Sequence, residues 1–448
     1  MMTLPLPLVL SPSAASAGAV EVVRRLQGVG FIAYWAGGCV RDLVLNRQAR
    51  DYDIATNAVP DKVMELFPKS VAVGKSFGVV RVPVADHWYE VATFRQDADY
   101  EDGRHPVRVT FSDPESDAQR RDFTVNALFY DPIRQEVIDH VAGLEDIGRR
   151  LIRAVGEPLK RFQEDHLRLL RAVRFAATLE FTIDEATAQA IRDTAGRIGL
   201  ISAERVRDEL TRLLVESARA GDALILLRDL GLLREVLPEI DAMQGVEQPP
   251  EYHPEGDVFQ HTVAMLNGMR MDDARLAWAV LLHDVGKPPT AQLKDGRWRF
   301  ECHAGVGEVQ AGAILARLKF SSDDTNAIAF MVGNHMRFVD VKSMRRATLR
   351  RLVGAPTFPQ ELELHRLDCQ ACHGDLENYH YLGAFRRQME SEPVLPAPWV
   401  DGRDIMALGV PEGREVGVWR KKAYDAQLEG AVADREALLA WLRHEIQR

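Results

Sequence analysis

The chain has 448 residues, of which 46% are hydrophobic and 27% charged, the composition of a globular protein whose length exceeds one ordinary core, so two to four folded units are expected. A net charge of -10 excludes a uniformly basic nucleic-acid binder while leaving room for local basic strips. No apolar run approaches a membrane span, and four scattered cysteines, Cys39, Cys302, Cys369 and Cys372, exclude a disulfide framework and point to a reducing, cytoplasmic compartment.

Residues 1–19 read as a disordered tail. Leu4 to Leu10 followed by Ala14-Ala15-Ser16-Ala17 has the outline of a signal peptide, but no Lys or Arg precedes Arg24 and prolines interrupt the apolar run. A helix from Ala19 to Gln27, ended by Gly28 and Gly30, leads into a buried strand, Phe31 to Trp35. Then comes Gly37-Gly38-Cys39-Val40-Arg41-Asp42, a glycine turn opening a short helix to Leu45, where phosphate oxygens can approach backbone N–H groups. Asp51-Tyr52-Asp53 follows. Its carboxylates, two residues apart, share a side if the segment is extended and offer hard oxygen ligands to Mg²⁺ bridging a nucleotide triphosphate. Taken singly, a Gly-Gly pair and an Asp-x-Asp are common surface features; their order and context carry the signal.

Pro60 to Phe67 reads as a helix, and Val71-Ala72-Val73, Val79 to Val84 and Trp88 to Phe94 read as strands, which together make a small mixed sheet flanked by helices. Glu90, on the last of these strands, is either a further carboxylate near Asp51 and Asp53 or an ordinary exposed strand acid. Gln96 to Pro106 reads as a polar, mobile loop of the kind that gates sites, leading into Val107 to Phe111. A helix through Arg120 to Leu128 would bury Phe123, Ala127 and Leu128 and leave Arg121, Asp122 and Asn126 to meet a ribose or phosphate.

From residue 151 to 245 the pattern is helical. Glu164-Asp165-His166-Leu167-Arg168, with Arg171 and Arg174, places Asp165 and Arg168 three apart on one helical face. An Asp acceptor beside an Arg fork suits the edge of a base; a structural ion pair is the alternative. Further helices run from Ala203 to Leu214 and from Gly221 to Leu230.

Residues 246–376 carry His261, His283-Asp284, His303, His335 and Asp368. His261 sits in an amphipathic run, and His283-Asp284 closes the apolar helix Ala277 to Leu282. Neutral imidazoles with carboxylates fit a divalent transition metal, in one- or two-metal form, acting on a phosphoester. Lys287 could meet a phosphate or be solvated. Lys342, Arg345, Arg346, Arg350 and Arg351 form a basic run that reads equally as a nucleic-acid strip or a solvated helix face. Cys369-x-x-Cys372 has no second cysteine pair to complete a Cys₄ site and reads as two core cysteines. Residues 377–448 form a helical tail with a Pro-rich break from Pro393 to Pro398 and a basic cluster, Arg420, Lys421 and Lys422.

From about Val20 to Leu237, the glycine turn with Asp51-Tyr52-Asp53, the Arg120 to Ala127 stretch and Glu164 to Arg168 resemble, in order and spacing, the class II bacterial tRNA nucleotidyltransferases, the CCA-adding enzymes of the polymerase-β-like superfamily. The second half resembles an HD phosphohydrolase domain. His303 and His335 match the extra ligands of two-metal HD domains, although Ala304-Gly305 stand where an acid is expected near His303. The resemblance implies an α+β chain: a polymerase-β-like mixed-sheet head over 20–150, an all-α neck and body over 151–245, an all-α HD domain over 246–376 and the helical tail.

It further implies that Asp51 and Asp53 hold Mg²⁺ while the tRNA 3′-hydroxyl attacks a nucleotide α-phosphate and pyrophosphate leaves. Gly37, Gly38, Arg41 and Asp42 would surround the triphosphate and metal, and Arg121, Asp122 and Asn126 would orient ribose and phosphates. Asp165 and Arg168 would read CTP or ATP, with Arg171 and Arg174 supporting them. In the second half, His261, His283, Asp284, His303, His335 and Asp368 would form the HD centre. Partners would be tRNA, CTP and ATP, with no membrane and no stable protein partner. Three alternatives stay open: addition of the terminal A alone, a poly(A) polymerase, which the short stretch Lys75-Ser76-Phe77-Gly78 disfavours, and an HD phosphohydrolase with a degenerate head.

Overall fold

The computed structural model describes residues 2–5, 13–49, 51–74, 78–100, 106–251, 253–270, 272–389 and 393–448, and the chain divides into two units, Met1–Asp241 and Ala242–Arg448.

The first unit is built on an eight-stranded sheet in the order β1-β10-β9-β2-β3-β6-β5-β4. The expectation of a disordered start is corrected here: β1 (Met2–Pro5) pairs antiparallel with a strand more than 130 residues later, and α1 (Ala14–Gly28) starts five residues earlier than its apolar pattern suggested. Ser13 makes that start by capping α1 in a reciprocal box with Ser16. Residues 6–12 lie outside the described part. Ala19, Val22, Val23 and Leu26 form the buried stripe of α1 against the sheet. Gly18 lets it come close: a Cβ there would lie 2.2 Å from the Tyr89 hydroxyl, which donates to the Ala15 carbonyl.

β2 (Ala33–Ala36) leads through Gly37 into α2 (Gly38–Val44), and β3 (Asp53–Thr56) returns antiparallel beside β2. After α3 (Pro60–Leu66) come β4 (Val71–Gly74), β5 (Val79–Val84) and β6 (His87–Thr93). β6 lies parallel to β3 with Ile54 opposite Val91, which carries Glu90 alongside Asp53. Lys75-Ser76-Phe77 lies outside the described residues. The polar segment expected as a loop is in large part a hairpin, β7 (Arg95–Tyr100) with β8 (Pro106–Phe111), because backbone pairing overrides its polar composition; 101–105 are outside the description.

α4 (Pro114–Gln119) ends before the Arg-Arg-Asp motif, so no helix runs from Arg120 to Leu128. Phe123 is extended and only Thr124–Asn126 forms a 3₁₀ turn, since Phe123 bridges Ala154 and its neighbours bond to that segment. β9 (Phe129–Asp131) and β10 (Glu136–Asp139) complete the sheet, whose core includes Ala36, Ala55, Phe94, Phe129 and Ile138. Beyond α5 (Gly143–Gly148) the described residues of the first unit are helical apart from loops and a two-residue parallel pair, β11 (Leu151–Ile152) with β12 (Thr182–Ile183). The helices are α6 (Pro158–Glu164), α7 (Arg168–Leu179), α8 (Glu185–Thr194), α9 (Ala203–Glu216), α10 (Ala220–Asp229), α11 (Leu233–Val236) and α12 (Pro238–Asp241).

In the second unit α13 (Val258–Asn267), capped by Asp257, packs on α14 (Ala274–Leu282). Leu276 to Leu282 are all buried, so α14 is apolar all round and serves as the central helix. After α15 (Lys287–Thr290) a hairpin, β13 (Ala291–Lys294) with β14 (Arg297–Phe300), interrupts what was expected to be all-α. Its turn, Asp295-Gly296, has positive φ at both residues, the conformation a tight two-residue hairpin requires. α16 (His303–Arg317) and α17 (Ser322–Asn334) form a helical hairpin, followed by α18 (Arg346–Val353), α19 (Phe358–Ala371) and α20 (Glu377–Gln388). The tail, α21 (Gly402–Ala407), α22 (Arg414–Glu429) and α23 (Arg435–Ile446), closes a core of its own around Ile405, Ala423 and Leu438. The basic run is in part structural: Arg350 donates to the Pro393 and Val394 carbonyls, Arg351 pairs with Asp425, and Lys342 with Glu377.

Candidate functional sites

In the first unit, every residue expected to handle metal or nucleotide lines one open cleft of about 730 Å³: Gly37, Gly38, Arg41, Asp42, Asp51, Asp53, Arg121, Asp122, Asn126, Asp165, Arg168, Arg171 and Arg174. Gly37 is demanded by its φ of +76°, and Arg121 Nη1 would lie 2.9 Å from an added Cβ, so a side chain there would also displace that guanidinium. Asp53 opens onto this cleft, yet burial among its walls and, next, the charge of Glu90 push its carboxyl up to about 6, with Arg121 opposing. Cys39 beside it is inert: burial pushes the thiol up to about 12.

An unbroken row of hydrogen bonds crosses the cleft. Arg41 donates to Asp42 at 2.7 and 2.9 Å and to Asn126 Oδ1 at 2.6 Å, and Asn126 Nδ2 donates to Asp122 Oδ1 at 3.2 Å. Asp122 also accepts from Arg171. Burial alone would raise the Asp122 carboxyl, but Arg171 and Arg168 outweigh it and hold the group down at about 2. Arg121 is aimed by Asp117, a buried acid that also binds Arg120.

The expected shared helical face for Asp165 and Arg168 is corrected. Asp165 is extended, at the end of α6, and Arg168 begins α7, so the two flank a turn. Asp165 accepts from the Leu167 amide and from Arg205 at 2.8 Å, while Arg168 donates to Glu164 and to the Arg161 and Arg120 carbonyls. Arg174 is structural, its side chain 3% exposed, bonded to Glu209 at 2.5 Å and stacked on Phe175. Sequence reading missed Asp117, Arg205 and Glu209. The available signal was the row Arg205, Glu209, Arg212 and Glu216 along one stripe of α9, two of which line the cleft.

In the second unit His261, His283 and Asp368 offer donor atoms to one another, as do Asp284, His303 and His335. Asp284 joins the groups, with Oδ2 3.1 Å from His283 Nε2 and Oδ1 3.6 Å and 3.8 Å from Nε2 of His303 and His335. Asp284, itself an expected member of the centre, is thus the carboxylate that faces both His303 and His335. Burial would raise the Asp284 carboxyl, but His283 and Lys287 hold it well below the usual range. Burial pushes the His335 imidazole down to about 4. Nε2 of His261 and of His283 are buried without a hydrogen-bond partner, and N/O donors facing inward fit a divalent cation. Lys287 is not solvated: its ammonium sits 2.6 Å from both Asp284 Oδ2 and Gln248 Oε1. The centre opens on a cavity of about 510 Å³ walled by Trp298, Phe300, Met336 and Val339.

The first cleft has the architecture of a nucleotidyltransferase head, an acidic pair and a glycine turn on a mixed sheet. Residues 33–153 match the Poly A polymerase head domain, 180–244 the probable RNA and SrmB- binding site of polymerase A, and 256–369 the HD domain. The chain is 35% identical over 441 residues to the CCA-adding enzyme of Geobacillus kaustophilus, covering 95% of this chain and 96% of that one. It is 31% identical to that of Lactobacillus gasseri, covering 94% and 95%. Among solved structures, the Bacillus stearothermophilus CCA-adding enzyme in complex with CTP superimposes with a TM-score of 0.74 at 28% identity, over 97% of this chain and 98% of that one. The Thermotoga maritima enzyme complexed with tRNA shares the fold, with a TM-score of 0.63 at 17% identity and full coverage of both chains. The chain belongs to the CCA-adding enzymes, a family of tRNA nucleotidyltransferases that use a divalent metal. No helix among the described residues is long and apolar enough to cross a membrane.

Proposed function

We propose that the protein adds CMP and AMP, from CTP and ATP, to the 3′ end of tRNA without a nucleic-acid template. The observation that carries this reading is the convergence of all the nucleotide and metal residues expected in the first unit on one cleft. Asp51 and Asp53 would hold Mg²⁺, which supplies charge neutralisation to the triphosphate as the 3′-hydroxyl attacks the α-phosphate and pyrophosphate leaves. Gly37 and Gly38 leave room for phosphates at the start of α2, and Arg41 with Asp42 border them. Arg121 and Asn126 orient ribose and phosphates, with Asp122 and Arg171 fixing their places. Asp165 and Arg168 read the base edge, so protein selects the nucleotide; Arg174 acts by holding α7 against α9. Glu90 is a further carboxylate at the metal end.

The working division is a head over 20–150, a neck and body over 151–245, an HD domain over 246–376 and a tail over 377–448, operating in the cytoplasm, where the four unpaired cysteines stay reduced. The HD centre, with His261, His283, Asp284, His303, His335 and Asp368 as donors to a divalent transition metal, would hydrolyse a phosphoester as a second activity. Its support is the pair of donor groups joined through Asp284.

Incubation with tRNA lacking its 3′ end and each NTP tests the main reading. Incorporation of C and A that stops at CCA is expected; A alone on tRNA already ending in CC would indicate an A-adding enzyme, and long A tails a poly(A) polymerase. Asp53→Ala should abolish addition and spare hydrolysis, and Asp284→Ala should do the reverse. Persistent addition in Asp53→Ala would overturn the assignment.

A further inference from the structure

The histidines of the second-unit centre are oriented by a common device, with one exception. Nδ1 of His283, His303 and His335 lies 2.8, 2.9 and 2.7 Å from the carbonyl oxygens of Val280, Phe300 and Val332. A carbonyl only accepts, so each Nδ1 carries the proton and each Nε2 turns a lone pair inward. His261 has no such carbonyl. Three residues before it, the Val258 carbonyl accepts from the Thr262 hydroxyl at 3.0 Å. His261 Nδ1 instead meets a carboxylate, Glu255 Oε1, at 2.6 Å. His253 Nδ1 lies 2.9 Å from the same oxygen and 3.3 Å from Cys372 Sγ, which is 3.8 Å from His261 Nδ1 and 3.9 Å from Glu255 Oε1.

We propose that Glu255 is a positioning residue for this centre: it accepts a hydrogen bond from Nδ1–H of His261, fixes the ring and makes Nε2 a stronger donor to a divalent cation. The inference rests on reading the centre as metal-binding. Outer carboxylates of this kind set the tautomer and raise the basicity of ligating imidazoles. A neutral carbonyl performs the first task for the other three histidines, whereas the charged Glu255 performs both.

The competing possibility is that His253, Glu255, His261 and Cys372 bind an ion of their own. The spacings favour the hydrogen-bonded reading. Two donors on one tetrahedral ion with bonds of about 2.0–2.1 Å stand about 3.3 Å apart. Two donor pairs of the centre do so, His303 Nε2 to His335 Nε2 at 3.2 Å and His261 Nε2 to Asp368 Oδ1 at 3.3 Å, and the Asp284 pairs range from 3.1 to 3.8 Å. At Glu255 the separations of 2.6 and 2.9 Å are hydrogen-bond lengths, which place protons between the atoms.

The test is calorimetric titration of the full chain with Mn²⁺, in an Asp51→Ala/Asp53→Ala background that removes head binding. Glu255→Ala should lower the affinity of the second-unit centre about ten- to a hundred-fold with the same number of ions bound. Glu255→Gln, which keeps an acceptor oxygen without its charge, should recover part of that loss. Unchanged affinity in both variants overturns the proposal. So does the loss of one ion in Glu255→Ala, or, with Co²⁺, a thiolate charge-transfer band that Cys372→Ser removes; either makes the cluster a metal site. Equal Mn²⁺ uptake by the background chain and its Asp284→Ala derivative defeats the metal reading of the whole centre, and this inference with it.

Discussion

Arg171 grips one oxygen of Asp122, Oδ2, with both Nε and Nη2, at 2.9 and 2.6 Å, across 49 residues of chain. The contact joins the Arg-Arg-Asp motif beside the sheet to α7. It thereby sets the distance between Asp122, with the Asn126 and Arg41 it is linked to, and the first turns of α7.

The pairing has a pH signature. Asp122 titrates at about 2 in the folded chain, below its ordinary value of 3.8. Its stabilisation is therefore complete above about pH 5 and is lost as pH falls from about 4 through 2. The shift is worth about 2 kcal/mol. Asp122→Asn should lower the unfolding free energy of the first unit by that order at pH 7, and the gap from the parent should narrow towards pH 2. Denaturant melts followed at both pH values measure it; a gap independent of pH would contradict the assignment.

Asp53 shifts the opposite way, up to about 6. Below that pH its carboxyl is protonated in the metal-free cleft, so on its proposed role as a ligand a proton and Mg²⁺ would compete for the same oxygens. At subsaturating Mg²⁺, nucleotide addition should rise with pH through about 6, and saturating Mg²⁺ should move that limb lower. Glu90→Gln removes the second-largest cause of the shift and should also displace the limb to lower pH. Rate profiles at two Mg²⁺ concentrations decide this, and a limb indifferent to Mg²⁺ would argue against Asp53 as a ligand.

Arg205 holds Asp165 Oδ2 at 2.8 Å. Freed from it, Asp165 samples other rotamers, and on its proposed role the base edge would meet a less ordered acceptor. Arg205→Ala should raise KM for both CTP and ATP about tenfold, equivalent to about 1.4 kcal/mol, with a smaller change in kcat. Steady-state incorporation with each nucleotide tests this, and unchanged KM values would remove Arg205 from the recognition apparatus.

In the second unit two glycines make a matched pair. A Cβ on Gly286 would lie 2.1 Å from the His303 carbonyl oxygen and 2.6 Å from the Gly307 nitrogen, whereas one on Gly312 meets nothing within 4 Å. Gly286→Ala must push α16 and His303 away, so it should cost about 1–3 kcal/mol and weaken divalent-metal binding. Gly312→Ala, inside α16, should stabilise by about 0.5–1 kcal/mol through helix propensity. Thermal melts of both variants provide the check.

Much of the site was legible because its residues announce their chemistry locally. A glycine turn ahead of a short helix, carboxylates two apart, and a His-Asp doublet closing an apolar helix each depend on neighbours in sequence. The departures have one kind of cause. Met2–Pro5 became a strand because β10 was there to pair with it, and the polar segment after Phe94 became a hairpin because its two halves pair. Asp165 left the expected helical face because Arg205, 40 residues on, and the Leu167 amide hold it in the turn.

The sequence by itself determined the donor set: which carboxylates, imidazoles and guanidinium groups exist, and the α+β order that carries them. Tertiary structure decided which of them face an open cleft and which are consumed as scaffolding. Arg168, Arg171 and Arg174 all line the cleft, but Arg174 spends its donors on Glu209 and Glu216, and Arg350 spends its own on the Pro393 and Val394 carbonyls. It also decided that Glu90 stands beside Asp53 and Glu255 behind His261. The physical reason is that a side chain's role follows from its partners, and these partners come from other elements: Glu90 by strand register, Arg205 from α9, and Glu255 from the loop ahead of α13.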